Sequence, residues 1–231
     1  MNLHVLEKKI GVEFKNKDLL KEALTHRSYL NENPGWGVFH NERLEFLGDA
    51  VLELVVTESL FSQFPDYPEG QLTSIRAALV NYQKMAEVSR SIDLEKSLLL
   101  SRGEAKDLGR AREVILANAI EALIGAVYLD EGYAEAKRMI DEFVIKPHLQ
   151  TIIKNHSYKD PKSQLQEVVQ EKLKLTPSYK VLEEWGPDHK KIFKMGVYFG
   201  EKLAALGEGY SKQEAEVEAA KNALREMSNE R

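Results

Sequence analysis

Apolar residues recur three and four positions apart through most of the first 154 residues, and this spacing predicts helices. Runs of β-branched residues are few in this part of the chain, so strands are not expected there. Glycine and proline fall between the apolar segments and separate them. Pro147 lies inside the last segment and is expected to kink or break its helix. The predicted helices lie near residues 3–10, 17–27, 41–63, 69–91, 112–130 and 132–153.

The pattern changes after a short polar segment, residues 155–159. An amphipathic helix predicted over 161–173 precedes three strand-like runs at 179–185, 192–199 and 202–207, and a last helix follows at 211–227. The sequence therefore predicts a mainly α protein of two domains. An all-helical domain at 1–154 is joined by a flexible linker, 155–159, to a small α+β domain of order α-β-β-β-α at 160–228.

Composition limits the possible classes of function. The chain has no cysteine, which excludes disulfides and thiolate metal sites, and it has no apolar run long enough for a membrane span or an export signal. A cytoplasmic protein without a membrane partner is expected. The net charge of -5 argues mildly against nucleic-acid binding, but the charge is unevenly placed. From Lys159 onward 13 basic residues face 13 acidic ones, whereas the preceding part has 19 against 24.

Two apolar segments contain isolated polar side chains. Glu42, Glu45 and Asp49 are spaced three and four apart, so they share one helix face. Asn118 lies one turn before Glu121, which is the only charged residue between positions 114 and 129. A buried carboxylate costs several kcal/mol unless it is paired or bound to a cation. The two helices are therefore expected to meet around a divalent cation, and oxygen ligands suit Mg²⁺.

Each of these residues also has an ordinary structural interpretation. Asn41 is a residue type that caps helices, and Glu42 is favoured near a positive helix N-terminus. Glu45 or Asp49 is within sequence reach of an ion pair with Arg43. The matched spacing of the whole set favours the metal site over these separate explanations.

The segment Asn-Glu-Arg-Leu-Glu-Phe-Leu-Gly-Asp at 41–49 resembles the signature of the ribonuclease III family, and residues 115–129 resemble the second catalytic helix of that family. Residues 24–28 and 68–73 are similar to two further family segments, and the resemblance extends from about residue 3 to residue 227. It implies a metal-dependent endonuclease that hydrolyses double-stranded RNA. The implied products have 5′-phosphate and 3′-hydroxyl ends with short 3′ overhangs, and the implied roles are processing of ribosomal-RNA precursors and messenger RNA.

The same resemblance implies roles for individual residues and a Mg²⁺ cofactor, with Mn²⁺ as a substitute. Most family members have aspartate where this chain has Asn118, so we expect weaker metal affinity or a preference for Mn²⁺. The implied metal ligands are Glu45, Asn118 and Glu121. Asp49 and Glu121 are the implied catalytic residues, with Asp49 beside the metal-bound water. Glu42 and Glu69 are implied to support the active site.

One such site cuts one strand, so cleavage of a duplex needs either two successive events or two sites related by a two-fold axis. Symmetry favours the second arrangement, a homodimer. The family forms its dimer through the signature helix. Phe46 is the apolar residue among the acids that is expected to reach the second subunit. The alternative is an ordinary core phenylalanine.

The α-β-β-β-α order, with Gly-Pro-Asp-His-Lys-Lys at 186–191, resembles a double-stranded-RNA-binding domain. Such domains recognise the shape of A-form RNA over about 16 base pairs. Each carried-over residue is also typical of a solvated surface, and Glu216 stands near positions where many such domains have lysine. Modest, salt-sensitive RNA affinity is therefore expected. The implied RNA contacts are Ser163, Gln166, Glu167, Pro187, His189, Lys190, Lys191, Lys212 and Gln213.

Two other interpretations stay open. A non-cleaving double-stranded-RNA-binding protein would retain both domains but have a metal site weakened by Asn118. A helical metal phosphohydrolase acting on nucleotides would explain the acids but leave the C-terminal domain without a role.

Overall fold

The computed structural model describes residues 3–106, 109–187 and 190–229, and the chain divides into two compact units, Met1–Tyr158 and Lys159–Arg231. The first unit is helical and the second contains a three-stranded sheet, which confirms the predicted fold class. The helices of the first unit are α1 (Leu3–Ile10), α2 (Lys17–Ala23), α3 (Arg27–Glu32), α4 (Glu42–Gln63), α5 (Glu69–Val80), α6 (Tyr82–Ser91), α7 (Arg110–Glu131), α8 (Tyr133–Ile140) and α9 (Lys146–Lys154). Short 3-10 turns occupy Leu94–Ser97 and Glu104–Lys106.

Helix α7 is the central element of the first unit. From residue 115 to 127 every residue is buried except Asn118 and Glu121, which are partly exposed. Helices α4, α6 and α8 pack around it. A helix that is apolar on nearly all sides belongs in the middle of a core, so its two polar residues mark the one side that packing leaves open.

Two predicted helices are divided in the structure. The helix expected at 17–27 ends at Ala23, because Leu24 and Thr25 pair with the distant Leu99: the Leu99 N–H donates to the Leu24 carbonyl at 2.9 Å. The helix expected at 69–91 is interrupted at Asn81, whose side chain accepts a hydrogen bond from the Lys84 N–H at 2.9 Å. Asparagine is a preferred N-cap, and here it starts a new helix inside a continuous apolar pattern.

Pro147 interrupts the last helix of the first unit, as predicted. A π-helical turn, Asp141–Ile145, separates α8 from α9, and Pro147 lies in the first turn of α9. Proline has no N–H and its ring collides with the carbonyl four residues earlier in a regular α-helix. The wider turn before it avoids both problems.

The second unit packs two helices on one side of an antiparallel sheet. Its core consists of Leu165 and Val169 from the first helix, Val197 and Ala205 from the sheet, and alanines of the last helix. A Cβ atom on Gly207 would lie 2.1 Å from the Ala219 nitrogen, so this glycine lets the last helix lie directly on the sheet. Its elements are α10 (Pro161–Leu173), β1 (Pro177–Trp185), β2 (Ile192–Phe199), β3 (Lys202–Gly209) and α11 (Lys212–Asn229), with strand order β1-β2-β3.

The residues predicted to form a linker begin with turns that follow α9. Tyr158 packs against the core of the first unit, and its hydroxyl accepts a hydrogen bond from Gln71 Nε2 at 3.0 Å. None of the described helices combines the length and the apolar character that crossing a membrane requires.

Candidate active site

Helices α4 and α7 cross with their backbones in direct contact. A Cβ atom on Gly48 would lie 1.8 Å from the backbone oxygen of Glu121, and one on Gly125 would lie 2.3 Å from the backbone oxygen of Leu44. Only glycine at both positions allows this approach. The crossing places Glu45 and Asp49, which flank Gly48 on α4, beside the polar side of α7.

The structure brings Glu45, Asp49, Asn118 and Glu121 together at this crossing. Glu121 experiences the charges of Asp49 and Glu45, and Asn118 hydrogen-bonds to the Glu45 side chain. The two polar faces predicted from spacing therefore meet, each supplied by one long helix whose remaining buried residues form the core.

Among the described acids of the first unit, Glu121 has the most strongly shifted pKa. Burial, followed by the negative charges of Asp49 and Glu45, raises the pKa of Glu121 to about 8. None of the positively charged groups that the structure describes contributes to this shift. A carboxyl group that keeps its proton to this pH without a cation beside it is a strong candidate ligand for an added cation.

The pKa of Glu45 is raised as well, first by burial and then by the charge of Glu42. The hydrogen bond from Asn118 acts in the opposite direction and lowers it, while the charge of Asp49 raises it further. Asn118 thus has a definite role in this arrangement, because its amide contacts a candidate ligand and its oxygen is itself a hard donor.

Two of the three ordinary interpretations fail in the structure, whereas Glu42 does lie at the N-terminus of α4, where an acid is favoured. The Asn41 side chain does not cap α4; it is buried, and its Nδ2 donates to the Ala23 carbonyl at 3.3 Å. In the part of the chain that the structure describes, no ion pair joins Arg43 to Glu45 or Asp49; the positive charge of Arg43 acts on Glu22. Among the described residues, Glu45 and Asp49 therefore lack the ion pair with Arg43 that sequence proximity offered.

The two expected supporting residues differ in position. Glu42 lies at the start of α4, close enough to affect Glu45, and it also accepts a hydrogen bond from Arg27 at 3.4 Å. Glu69 lies at the start of α5 and accepts a hydrogen bond from the Thr73 hydroxyl at 3.0 Å. No interaction among the described residues links Glu69 to the crossing, so its supporting role stays a prediction.

The three carboxylates and the amide at the crossing offer only oxygen atoms as ligands, and oxygen ligands are the ones that a hard divalent cation prefers. Within residues 3–106, 109–187 and 190–229, no three His, Cys, Asp or Glu side chains already stand in the arrangement that holds one ion. Coordination would therefore need the Asn118 amide, water or a substrate phosphate in addition to the acids.

Phe46 projects from α4 between the acids and is 82% exposed. An ordinary core phenylalanine, the alternative considered for it, is thus excluded. A polar-rimmed hollow of about 610 Å³ lies beside it, and its lining includes Leu19, His40, Leu47 and Leu129. Phe46 and the exposed Leu129 line this hollow together, and neighbouring exposed apolar side chains are typical of a surface that another molecule covers.

In the second unit, most of the expected RNA-binding residues lie on the surface. Gln166, Lys190, Lys212 and Gln213 are exposed, and Lys191 is partly exposed. Three others have contacts within the unit. The Ser163 N–H and hydroxyl both donate to the Asp160 carboxylate, and the Glu167 carboxylate pairs with Lys159 Nζ at 2.6 Å. The Pro187 carbonyl accepts a hydrogen bond from the Lys190 N–H at 2.8 Å. His189 lies outside the described residues, so its expected contact stays a prediction.

The sequence interpretation missed Gly48 and Gly125 as determinants of the site. The available signal was glycine inside two long helical patterns, where it costs about 1 kcal/mol relative to alanine unless close packing requires it.

Family models match both units. Residues 16–148 match a ribonuclease-III-like model, and residues 161–227 match a double-stranded RNA binding motif. Together these matches cover the candidate metal site and the α-β-β-β-α unit.

Curated relatives resemble the chain over nearly its whole length. Ribonuclease 3 of Carboxydothermus hydrogenoformans is 46% identical, with 100% of this chain and 97% of the relative covered. Ribonuclease 3 of Desulforamulus reducens is 42% identical, with 96% and 90% covered. Among solved structures, the nuclease domain of ribonuclease III from Campylobacter jejuni, studied for flexibility in a region involved in dimer formation, has a TM-score of 0.58 and 42% identity. It covers 64% of this chain, and 99% of it is matched.

Proposed function

The chain belongs to the ribonuclease III family and is a ribonuclease, and on this basis we propose that it cuts both strands of double-stranded RNA at the α4–α7 crossing. The observation that carries this proposal is the group of Glu45, Asp49 and Glu121. Glu45 and Glu121 have raised pKa values, and no cationic side chain among the described residues acts on the Glu121 carboxyl group. The proposed products have 5′-phosphate and 3′-hydroxyl ends and short 3′ overhangs.

Glu45, Asn118 and Glu121 are the proposed ligands of a divalent cation, Mg²⁺ or, as a substitute, Mn²⁺. Such a cation neutralises charge on the scissile phosphate and provides a hydroxide near neutral pH. The residues of the chain have separate tasks. Glu121 releases its proton when it binds the cation. Asn118 fixes the orientation of Glu45 through its hydrogen bond, and Asp49, at the exposed edge of the crossing, orients the attacking water.

For cleavage of both strands we propose a second site, in a two-fold homodimer built on α4. The exposure of Phe46 supports this assembly, because an isologous contact would cover the Phe46 side chain of each subunit. Glu42 and Glu69 are proposed to support the substrate near each site.

The second unit is proposed to bind the RNA duplex along residues 160–228, with 1–154 as the catalytic domain and 155–159 as the linker. The proposed contacts are those implied by the sequence, including Lys191 and Lys212 with backbone phosphates. Structured ribosomal-RNA precursors and messenger RNAs in the cytoplasm are the proposed substrates. These substrates are proposed because the chain belongs to the ribonuclease III family.

The decisive experiment is cleavage of an end-labelled RNA duplex of several helical turns by the full chain with Mg²⁺, Mn²⁺ or a chelator. Glu121→Ala is the matched variant, since it removes one proposed ligand from the open side of α7. We expect metal-dependent fragments with short 3′ overhangs from the parent protein and a loss of at least about a hundredfold in rate in the variant.

Binding of the same duplex in a gel provides the control for folding and RNA recognition. Both proteins should retard the duplex when chelator prevents cleavage. An intact duplex that the parent protein retards with either metal would refute the cleavage proposal and favour the non-cleaving RNA-binding protein.

A further inference from the structure

Phe193, near the start of β2, is approached by lysines from two different elements. The Nζ atom of Lys191, which precedes the strand, and the Nζ atom of Lys212, the first residue of α11, each lie 5.9 Å from the centre of the Phe193 ring. A cation within about 6 Å of an aromatic ring is attracted by the negative face of its π system. One uncharged residue therefore contacts cations from two separate segments.

The sheet register explains why α11 reaches this ring. Phe193 pairs with Gly209 of β3, and a Cβ atom on Gly209 would lie 2.6 Å from the backbone nitrogen of Ala215. Because Gly209 has no side chain, the first turn of α11 lies directly against the strand beside Phe193. Lys212 is in that turn, so the close approach brings its stem to the ring.

Lys191 is held in place by a residue of the neighbouring strand β1. Glu184 of β1 pairs with Phe193 in the register, and its Oε1 atom lies 3.2 Å from Lys191 Nζ. Lys191 thus has both a carboxylate and a ring as neighbours. This fixes its stem without burying its ammonium group, because the Lys191 side chain remains 35% exposed.

Three of the described acids lie near this surface: Glu184 beside Lys191, Glu214 in the first turn of α11, and Glu216 one turn after Lys212. The Glu216 carboxylate is paired with Lys162 Nζ at 2.5 Å, and the same ammonium group lies 4.9 Å from the centre of the Tyr179 ring. Glu216 is therefore neutralised within the unit. This pairing reduces the repulsion that Glu216 would exert on a phosphate at the two lysines, of which Lys191 also has Glu184 as a partner.

We propose that Phe193 is a positioning residue for RNA binding, whose ring holds Lys191 and Lys212 together so that both ammonium groups meet phosphates of one duplex. This inference rests on the proposed function, in which the two lysines contact RNA. Phe193 itself does not touch the RNA. A lysine stem loses rotamer freedom when it binds, and a ring that orders two stems beforehand reduces that loss.

The test measures binding of the full chain to a short RNA duplex by fluorescence anisotropy, with chelator present and over a series of salt concentrations. Phe193→Leu and Phe193→Met keep an apolar side chain but remove the ring. We expect each to raise Kd about threefold to tenfold and to reduce the slope of log Kd against log salt by about one. Phe193→Tyr keeps the ring and should stay within about twofold of the parent protein.

Tyr198→Leu is the matched control, because it removes the contact of Lys180 with the Tyr198 ring, 4.9 Å, in the same sheet. This variant should leave Kd and the salt slope unchanged. Thermal unfolding of every variant identifies the temperature range in which all are folded, and binding is compared only there. A purely structural role for Phe193 would lower the unfolding temperature without reducing the salt slope, and that result would overturn the inference.

A double variant separates this inference from the proposed function. Lys191→Gln with Lys212→Gln should weaken binding, and adding Phe193→Leu to it should cause little further change, because the ring acts through those lysines. If the two-lysine variant binds like the parent protein, the proposed RNA contacts are wrong. If it binds weakly but Phe193→Leu alone matches the parent protein, the contacts stand and the positioning role is refuted.

Discussion

Glu121 shows how position in the fold changes the chemistry of a single residue. Its neighbours along the helix are buried apolar residues, and across the crossing it faces Glu45 and Asp49. These surroundings disfavour its charge, which makes the carboxyl group hold its proton to about pH 8 when no cation is bound. Protons and a metal ion therefore compete for the same carboxyl group.

This shift predicts a specific dependence of stability on pH in the metal-free protein. The folded pKa of Glu121, about 8, lies above its ordinary value of 4.5, so its stabilising contribution is complete below about pH 4.5 and is lost as the pH rises to about 8. Glu121→Gln cannot ionise and should lack this loss. Urea unfolding with chelator from about pH 5 to about pH 8 measures the difference. Glu45 shifts in the same direction in both proteins, so parallel curves would contradict the assignment to Glu121.

Asn118 gives a second prediction at the residue scale. Asn118→Asp adds a carboxylate beside Glu45 and Glu121, which should tighten metal binding because charge attraction adds to the oxygen ligation. The Mg²⁺ concentration that gives half-maximal cleavage should fall about tenfold. The variant without metal should be the less stable of the two, since a further acid joins an unneutralised group. Identical Mg²⁺ titrations would show that the amide is as good a ligand as the carboxylate.

At the scale of the element, the site depends on how closely two helices approach. Helices α4 and α7 each contribute a regular apolar face, but the glycines at positions 48 and 125 bring their backbones into contact. The carboxylates reach one another because nothing larger than hydrogen separates the helices at these points.

Gly48→Ala tests this contact. The added methyl group would meet the Glu121 backbone oxygen, which cannot move without shifting α7, so unfolding free energy should fall by at least about 2 kcal/mol. Gly70→Ala in α5 is the matched control, because a Cβ atom there meets nothing within 4 Å. That change should be neutral or stabilising by up to about 1 kcal/mol, since alanine is the better helix former. Equal urea midpoints for the two variants would argue against the close crossing.

At the scale of the whole molecule, we expect the proposed homodimer to depend on the exposed Phe46 side chain of α4. Phe46→Ala should weaken the proposed homodimer by about 2 kcal/mol or more, roughly 30-fold in the dissociation constant, because aromatic residues dominate such contacts. Sedimentation velocity over a concentration series measures this change. Tyr210→Ala is the control, as Tyr210 is 72% exposed but lies in the second unit. A parent protein that is monomeric at every concentration would rule out the proposed assembly.

The sequence by itself determined the kind of element at most positions. The spacing of its apolar residues predicted the long helices and the order α-β-β-β-α. It also predicted that Glu45 and Asp49 share one helix face and that Asn118 and Glu121 share another. These features follow from spacing along a helix or strand, which is a local property. Proline likewise acts on its own turn, which is why the interruption at Pro147 was predictable.

Tertiary structure decided the features that depend on residues far apart in the chain. Pairing of Leu24 with Leu99 ended α2 early, and Asn41 bonded to α2 instead of capping α4. The raised pKa of Glu121 and the meeting of Lys191 with Lys212 at Phe193 likewise arise only when separate elements pack. Burial and long-range contact set these properties, because desolvation and charge interactions depend on distance in space, and a linear pattern does not contain that distance.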